Sequence, residues 1–319
     1  MPDRVGPAAA APDPTYVLSV HTLRAAQALT RHLPRPVLAP VVSVASRGYA
    51  ITAKDERLIA ERNLRRVLGD ELDESKLPRL LEVVFESYGR YWLDSLRLAD
   101  LSPEQIDDGF SYEGIHHLID PIAAGITPVV AMPHLGGWEW AAAWLTKVKG
   151  WPVTSVAEQL EPPELFEWFL DFRRKLGMHI VAVGPGAAGE VGARLAGGDI
   201  VSLLCDRDIS GDGIVVEFFG ERTRLPGGPA VTALRSGSPL IPAAAFFQGS
   251  HCHAVVLPAI ETERRGRLRE DVTRVTQDLA HSLETLIRRA PQQWHLLQPN
   301  WPSDYDALGI ERPESMRDL

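Results

Sequence analysis

Short apolar runs alternate with amphipathic segments from about residue 128 to residue 290. The runs are rich in strand-forming residues and end at Gly, Pro or polar residues, which is typical of buried strands. Such strands are predicted over residues 129–132, 152–156, 179–183, 199–205, 214–219, 240–247 and 254–257. Helical spacing between them predicts helices from residue 138 and over residues 163–177, 187–196, 228–236 and 270–290. This alternation predicts an α/β fold: a central, largely parallel sheet with helices on both faces.

The chain before this region has a different pattern. Residues 1–14 are rich in Pro and Ala and are expected to form a disordered tail, with residues 15–319 as one domain. Residues 55–98 have helical spacing, and Ser102, Pro103 and Gln105 form the start signal of a further helix. Residues 16–50 predict two short amphipathic helices with a Pro-rich joint. Two interpretations of this pair remain open: helices that pack on the core, or an interfacial anchor with Arg residues at the lipid headgroups.

Composition limits the classes of function. The 319 residues are 45% apolar, enough for a substantial core, and the formal net charge is −9. This charge argues against a general nucleic-acid binder and against attraction of the whole surface to an anionic membrane. Cys205 and Cys252 have no metal or redox spacing, which favours a reducing compartment. No secretory pattern and no eighteen-residue apolar segment is found. A cytosolic protein, or one bound peripherally to the cytoplasmic face of the cell membrane, is therefore expected.

Residues 128–146 form the stretch with the clearest chemistry. A strand is followed by a Gly136-Gly137 turn and a helix, with His134 and Glu139 on either side of the turn. On one helix, residues five apart would diverge at about 100° per residue, whereas the turn lets the Glu139 carboxylate reach back to one imidazole nitrogen. The other nitrogen would be a general base. The N–H groups of Gly136 and Gly137 would face a substrate at a helix N-terminus. Alternatively, His134 is a structural hydrogen-bonding residue.

Other polar residues lie at predicted strand ends. Asp206 and Asp208 follow one strand and Glu158 follows another, so they are expected to share a crevice with His134 and to bind polyol hydroxyls. Capping of a turn or helix is the alternative for the two aspartates. Residues 218–230 form a second Gly-rich turn before a helix, where Arg224 could help to hold a phosphate.

The chain lacks the motifs of covalent catalysis and nucleotide binding, including Gly-x-Ser-x-Gly, a P-loop and His-Glu-x-x-His. A His–acid pair without a nucleophile suggests that a hydroxyl attacks an activated carbonyl directly, and the resulting oxyanion needs donors. Arg173 and Arg174 are the side-chain candidates, with a solvated helix charge as the alternative. A metal at His134 and Glu139 would need a third ligand, so neither a metal nor a cofactor is expected.

Taken together, the motifs resemble those of the bacterial lysophospholipid acyltransferase superfamily of the lipid A lauroyl/myristoyl type. The matching blocks are Pro-His134-Leu-Gly-Gly-Trp-Glu139, Cys-Asp206-Arg-Asp208, Phe218-Phe219-Gly220 and Ile287-Arg-Arg-Ala-Pro-x-x-Trp294. Within this superfamily, the actinobacterial phosphatidylinositol mannoside acyltransferases resemble the chain more closely than other members do. They share Val156-Ala-Glu158-Gln-Leu, the Arg222–Ala230 block and Trp294-His-Leu-Leu-Gln-Pro-x-Trp301. The resemblance covers roughly residues 55–302 and, more loosely, 15–50.

The resemblance implies a peripheral membrane enzyme. It would transfer a palmitoyl-type chain from acyl-CoA, a co-substrate, to the mannose 6-hydroxyl of a phosphatidylinositol mannoside. It also implies that His134 is the general base, Glu139 its orienting acid and Arg173 the oxyanion stabiliser, with Arg174 as the adjacent alternative. A long apolar groove near His134 and a basic entrance for the CoA phosphates are expected. The alternatives are another lipid acceptor, such as a lipid A-like or lysophospholipid hydroxyl, and a non-catalytic acyl-lipid carrier.

Overall fold

The structure is a computed structural model, and it describes residues 20–319. The predicted tail over residues 1–14 lies outside the described residues, as do residues 15–19. The first helices are α1 (Val20–His32), α2 (Arg35–Thr52), α3 (Lys54–Leu68), α4 (Leu77–Leu98) and α5 (Pro103–Asp108). Strand β1 (Phe110–Glu113) and helix α6 (His116–Ala123) follow. Ser102 and Gln105 form the predicted capping box of α5.

The alternating part of the chain begins at β2 (Val129–Met132). It continues with α7 (Trp138–Ala143), one π-helical turn (Trp144–Val148), β3 (Val153–Ala157), α8 (Pro163–Lys175), β4 (Met178–Ala182), α9 (Ala187–Ala196) and β5 (Ile200–Leu204). The remaining elements are β6 (Ile214–Phe218), β7 (Glu221–Leu225), α10 (Gly228–Ser236), β8 (Leu240–Gln248), β9 (His251–Val256), α11 (Leu268–Arg288) and α12 (Pro302–Leu308).

The central sheet has seven strands in the order β1-β9-β8-β2-β5-β3-β4. Only β8 and β9 pair antiparallel, because they are joined by a tight turn, and the other neighbours are parallel. The predicted α/β fold with a largely parallel sheet is therefore confirmed. In this arrangement β2 and β5 are direct neighbours, so the residues that follow them leave the sheet side by side.

Strands β2 and β8, at the centre of the sheet, are apolar over almost their whole length because both faces of the sheet are covered there. In β2, Val129 and Ala131 pack into a core formed with α9, α10 and α11. The alternate residues Val130 and Met132 pack on the opposite face, in a core formed with α4, α7 and α8. The period-2 alternation of the strand thus supplies two separate cores, and neither face of β2 meets water.

The N-terminal helices α1 and α2 pack on α4. Gly89 makes the approach of α2 possible, since a Cβ at this position would overlap the Ser46 hydroxyl. Three ion pairs join the helix pair to α4 and the residues just after it: Arg31–Asp100, Arg35–Asp94 and Arg47–Glu86. These arginines therefore hold the helix pair to the core.

The outer face of the same helix pair is apolar and exposed. Its large exposed side chains are Leu29, Leu33, Val37, Val41, Val44 and Ile51. The exposed residues of α2 are spaced three, four or seven residues apart, so they form a stripe along the helix. No helix within residues 20–319 is long and apolar enough to cross a bilayer. The two interpretations of residues 16–50 are therefore compatible, because one face packs on α4 and the other remains uncovered.

The β6–β7 hairpin corrects one sequence prediction. The sequence predicts a Gly-rich turn over residues 218–230, but residues 221–225 form strand β7, which pairs antiparallel with β6 in a separate two-stranded sheet. The hairpin turns at Phe219 and Gly220, both with positive φ (53° and 77°), which matches the right-handed twist of two-residue hairpins. In β7, the buried residues Thr223 and Leu225 alternate with less buried residues. An alternation over only five residues is a weak strand signal in the sequence.

Candidate active site

The candidate site is centred on a histidine–aspartate pair at the carboxyl ends of β2 and β5. The Nδ1 of His134 lies 2.6 Å from the Oδ1 of Asp206, and the main-chain N–H of His134 donates to Asp206 Oδ2 at 3.0 Å. Because β2 and β5 are adjacent and parallel, the residues that follow them meet at the same edge of the sheet. The predicted crevice shared by His134 and Asp206 is therefore present.

The Asp206 carboxylate is fully buried and well satisfied. Its Oδ2 also accepts a hydrogen bond from Trp294 Nε1 at 2.7 Å. Burial by itself raises the pKa of this carboxyl, but the charge and hydrogen bond of His134, with the bonds from Trp294 and the main chain, outweigh it and lower the pKa. A charged carboxylate on Nδ1 keeps the proton on that nitrogen. Nε2 of His134 is then left with its lone pair, as a general base requires.

The structure contradicts the prediction that Glu139 orients His134. Glu139 lies in the first turn of α7, and its Oε1 accepts from the Tyr91 hydroxyl at 2.7 Å and from Arg173 Nη2 at 3.4 Å. The reason is that Nδ1 carries a single proton, and Asp206 on the neighbouring strand end already accepts it. Burial raises the pKa of Glu139 despite the opposing charge of Arg173 and the bond from Tyr91. Glu139 thus holds Arg173 and Tyr91, and Asp206 occupies the position at Nδ1 that the sequence predicts for Glu139.

The Gly136-Gly137 turn does not offer its N–H groups to a substrate, as had been expected. The N–H of Gly136 donates to the Gln293 carbonyl at 3.0 Å, and that of Gly137 donates to the Ala245 carbonyl at 2.9 Å. A side chain at Gly136, which has a φ of +59°, would overlap the Ala245 carbonyl oxygen. Gly136 is required because the turn packs directly on the backbone of β8 at this residue.

A large groove of about 490 Å³ opens beside His134. Its walls come from β3, β4, α8 and α9 and are mostly apolar, with Phe166, Phe169, Leu170, Ile180, Val183 and Ala187 among the lining residues. The volume lies within the range of about 300–1,000 Å³ typical of small-molecule sites. An apolar groove next to His134, as predicted, is therefore found.

A second, smaller cavity of about 120 Å³ also contacts His134. We call it the aromatic cavity, and its lining residues are Tyr88, Tyr91, Trp92, His134, Trp138, Phe169, Arg173, Arg207, His295, Leu296 and Gln298. His134, Phe169, Arg173 and Arg207 line both spaces. A molecule in the groove and a molecule in the aromatic cavity would therefore meet at the histidine.

The remaining predicted site residues differ in whether they reach the groove and in what their side chains bind. Arg173 reaches the site, whereas Arg174 is exposed and pairs with Asp171 on its own helix. Glu158 lines the groove and pairs with Arg207 at 3.3 Å. Asp208 also lines the groove, but its carboxylate accepts from the N–H groups of Gly211 and Gly213, so it caps the loop after β5.

The predicted phosphate site at Arg224 is not formed. The Arg224 guanidinium donates to the carbonyls of Ser315 and Gly213 and pairs with Asp318. Arg224 lies on β7, whose side chains face the C-terminal segment at this position. The charged residues that line the groove are of both signs: Glu158, Asp208 and Asp212 together with Arg173 and Arg207. A basic entrance for the CoA phosphates stays a prediction. Within residues 20–319, no group of three or more His, Cys, Asp or Glu side chains could hold a metal ion.

Sequence reasoning missed several residues of the site because they come from distant segments. Tyr91 is on α4, and His295 follows α11 by several residues. The Nε2 of His295 lies 2.9 Å from the Ser87 hydroxyl, and its main-chain N–H donates to the His134 carbonyl at 2.7 Å. Burial, reinforced by the charge of His134, lowers the pKa of His295 to about 3. The available signal was the Trp294–Trp301 block, which the resemblance had already singled out.

The chain is similar to known acyltransferases. Residues 14–303 match the model of the bacterial lipid A biosynthesis acyltransferase family. A phosphatidylinositol mannoside acyltransferase of Mycolicibacterium smegmatis is 33% identical over 283 residues, which cover 86% of this chain and 89% of that protein. A phosphatidylinositol mannoside acyltransferase of Mycobacterium tuberculosis is 34% identical over 282 residues, covering 86% and 85%.

Among solved structures, the chain is similar to a 1-acyl-sn-glycerophosphate acyltransferase from Thermotoga maritima. The identity is 13%, the TM-score is 0.37, and the match covers 79% of this chain and 98% of that chain. The family match spans most of the present sequence, and the mycobacterial relatives align over nearly their whole length. The chain therefore belongs to the bacterial lipid A biosynthesis acyltransferase family and is an acyltransferase.

Proposed function

We propose that this acyltransferase moves a long, palmitoyl-type acyl chain from acyl-CoA to a sugar hydroxyl of a membrane glycolipid, the mannose 6-hydroxyl of a phosphatidylinositol mannoside. The observation that carries the proposal is the position of His134 between the apolar groove and the aromatic cavity. The groove suits an acyl chain and the aromatic cavity suits a sugar. The base stands where the two reacting groups would meet.

The reaction follows from the protonation of the His134–Asp206 pair. Nε2 of His134 takes the proton of the acceptor hydroxyl as its oxygen attacks the thioester carbonyl carbon. A C–O bond forms, and the carbonyl π electrons move to the oxygen, giving a tetrahedral oxyanion. The C–S bond then breaks, the carbonyl re-forms, and the leaving thiolate takes the proton from the imidazolium. Asp206 stabilises that imidazolium and remains ionised, so no covalent enzyme intermediate is needed.

Arg173 is the charged donor for the oxyanion. It lines both the groove and the aromatic cavity, and Glu139 holds its guanidinium at 3.4 Å. A fixed cation near the carbonyl stabilises charge that develops only in the transition state. Glu139 therefore acts on the reaction through Arg173, as a positioning residue.

The choice of acceptor rests on the relatives and on the aromatic cavity. Both mycobacterial relatives are named for acylation of phosphatidylinositol mannosides. Aromatic rings together with polar groups such as Gln298 and Arg207 suit a sugar ring, which has apolar C–H faces and polar edges. These two observations favour a glycolipid over a simple lysophospholipid acceptor.

The exposed face of α1 and α2 supports docking on the cytoplasmic surface of the cell membrane. Val41 is 62% exposed and Val44 is 70% exposed, and both lie on the uncovered stripe of α2. An amphipathic helix of this kind gains free energy when its apolar face enters the lipid headgroup region. Such docking would bring the enzyme to an acceptor that resides in the bilayer.

The test is a direct assay with purified protein. Palmitoyl-CoA is supplied with a panel of acceptors: a phosphatidylinositol mannoside, a lipid A precursor and a lysophospholipid. We expect acyl transfer to the phosphatidylinositol mannoside, with mass spectrometry locating the new ester on a mannose 6-oxygen, and loss of transfer in His134→Ala. Transfer to another acceptor alone would replace the acceptor proposed here, and tight acyl-CoA binding without any transfer would favour a carrier.

A further inference from the structure

The buried polar atoms that lack a partner are concentrated at one place in the structure. Within residues 20–319 there are five such side-chain atoms, and four of them surround the aromatic cavity: Trp138 Nε1, Glu139 Oε2, Arg173 Nε and His295 Nδ1. Trp138, Arg173 and His295 line the cavity, and Glu139 is bonded to both Tyr91 and Arg173. Unpartnered buried polar groups are rare in folded proteins, and a cluster of them next to a base points to a missing ligand.

Two of these four atoms can only donate hydrogen bonds. The indole N–H of Trp138 and the Nε–H of Arg173 have no accepting capacity, so each of them needs a hydrogen-bond acceptor. Since the tetrahedral intermediate of acyl transfer carries a full negative charge on oxygen, it is the species that such donors stabilise best.

The position of Trp138 is fixed by its neighbours. Its ring lies edge-to-face on His134, with 5.5 Å between the ring centroids, and stacks on Tyr91 at 4.1 Å. The Tyr91 hydroxyl in turn donates to Glu139, the residue that holds Arg173. One network of contacts therefore holds Trp138 and Arg173 at the aromatic cavity before any substrate binds.

We propose that the indole N–H of Trp138 is a second donor, beside Arg173, to the oxyanion formed when the acceptor hydroxyl attacks the acyl thioester. As the C–O bond forms and the carbonyl electrons move to oxygen, this oxygen accepts from Trp138 Nε1. When the C–S bond breaks, the carbonyl re-forms and the hydrogen bond weakens. The inference rests on the proposed acyl transfer, and it makes Trp138 a catalytic residue that nothing in the sequence motif requires.

Trp138→Phe removes the N–H and keeps an aromatic ring against Tyr91 and His134. We expect kcat to fall about 100-fold or more, which is typical of the loss of one oxyanion donor. The KM for palmitoyl-CoA and for the glycolipid should change little. Hydrolysis of palmitoyl-CoA by water should fall by the same factor as transfer, because both reactions pass through the same kind of oxyanion.

The matched control is Trp140→Phe on the same helix. Trp140 lines neither cavity, and its Nε1 donates to the Ile106 carbonyl. This variant should keep its kcat even if its stability falls slightly. A Trp138→Phe enzyme with kcat within threefold of wild type would overturn the inference. So would a loss confined to transfer with hydrolysis intact, which would make Trp138 a sugar-stacking residue. An inactive wild-type enzyme would instead overturn the proposed function.

A second measurement uses the wild-type chain and does not depend on the folding of a variant. A long-chain trifluoromethyl ketone takes up water to form a tetrahedral oxyanion mimic. In ¹⁵N-labelled protein, binding of this probe should shift one tryptophan indole N–H resonance strongly downfield, and Trp138→Phe should identify that resonance. An indole spectrum that is unchanged at saturating probe would contradict the inference.

Discussion

Asp206 Oδ1 lies 2.6 Å from Nδ1 of His134, and this contact determines which nitrogen of the histidine can act as a base. In Asp206→Asn the amide can donate to Nδ1 and thereby stabilise the wrong tautomer. We expect kcat to fall by about 10³–10⁴-fold with little change in KM, as for the carboxylate of a catalytic triad. Steady-state acyl transfer, together with a thermal unfolding curve, measures both effects.

The control for this change is Asp199→Asn. Asp199 precedes β5, at its opposite end, where it accepts from Thr154 and pairs with Arg194. Removal of its charge should lower stability without lowering kcat. Equal kcat losses in the two variants would mean that Asp206 acts only on the fold.

Glu139→Gln should affect Arg173 and leave the tautomer of His134 unchanged. The glutamine oxygen can still accept from Tyr91, but Arg173 loses its buried counter-ion. Breaking a buried pair in this way typically costs about 3 kcal/mol of stability. We expect that loss in urea unfolding, with a decrease in kcat but no change in the shape of the pH–rate profile. A profile that shifts in Glu139→Gln and not in Asp206→Asn would restore Glu139 as the orienting acid.

Ala187→Phe should narrow the groove. Ala187 lies at the start of α9 and lines the groove with Ile180 and Val183. A phenyl ring there occupies space that a long chain requires, so we expect at least a tenfold decrease in kcat/KM for palmitoyl-CoA and a smaller effect for octanoyl-CoA. Ala193→Phe is the control, since Ala193 is an exposed residue of the same helix outside the groove. Equal losses for both chain lengths would argue against the groove as the acyl site.

The double change Val41→Glu/Val44→Glu tests the membrane face. Burial of one valine side chain contributes about 1.5 kcal/mol, so the loss of two should weaken binding to vesicles at least 100-fold. Cosedimentation with anionic phospholipid vesicles measures this binding. Ile126→Glu and Ile310→Glu, which place charges at other exposed apolar residues, should have little effect. Unchanged binding of the double variant would rule out this stripe as the docking face.

His295 makes stability depend on pH. Burial holds its folded-state pKa at about 3, below the value of about 6.5 in an unfolded chain. Between these values the unfolded state binds the extra proton, so this residue's contribution to stability falls as pH decreases below 6.5, by up to about 1.4 kcal/mol per unit. His295→Gln should therefore lose about 2 kcal/mol less than wild type between pH 7.5 and pH 5 in urea unfolding. Equal losses would show that His295 is accessible to protons in the folded state.

The sequence alone predicted most of the fold because its local signals agree with each other. The bounds predicted for α9 and α10 are the observed ones, since both helices are flanked by Gly or Pro. Strands β1 and β7 were missed. Both strands are short, and three of the four residues of β1 are exposed to solvent. No apolar run therefore marks either strand in the sequence.

The site could be predicted only in part from the sequence. His134 and Asp206 follow apolar strands, and the sheet brings strand ends together, so their proximity could be inferred. Which carboxylate bonds to Nδ1 could not be inferred, because that depends on the direction in which α7 leaves the Gly136-Gly137 turn. Tyr91 and His295 come from segments whose spacing carries no local information about the site.

The hydrogen bond from Trp294 to Asp206 has a consequence for the synthesis of the enzyme. Trp294, His295 and Asn300 all bond to His134 or Asp206, and they lie more than 85 residues further along the chain than the aspartate. A nascent chain that ends before this segment leaves the carboxylate open to water and one of its lone pairs unfilled. The His134–Asp206 pair is therefore completed only after the segment from Trp294 to Asn300 has folded onto the strand ends.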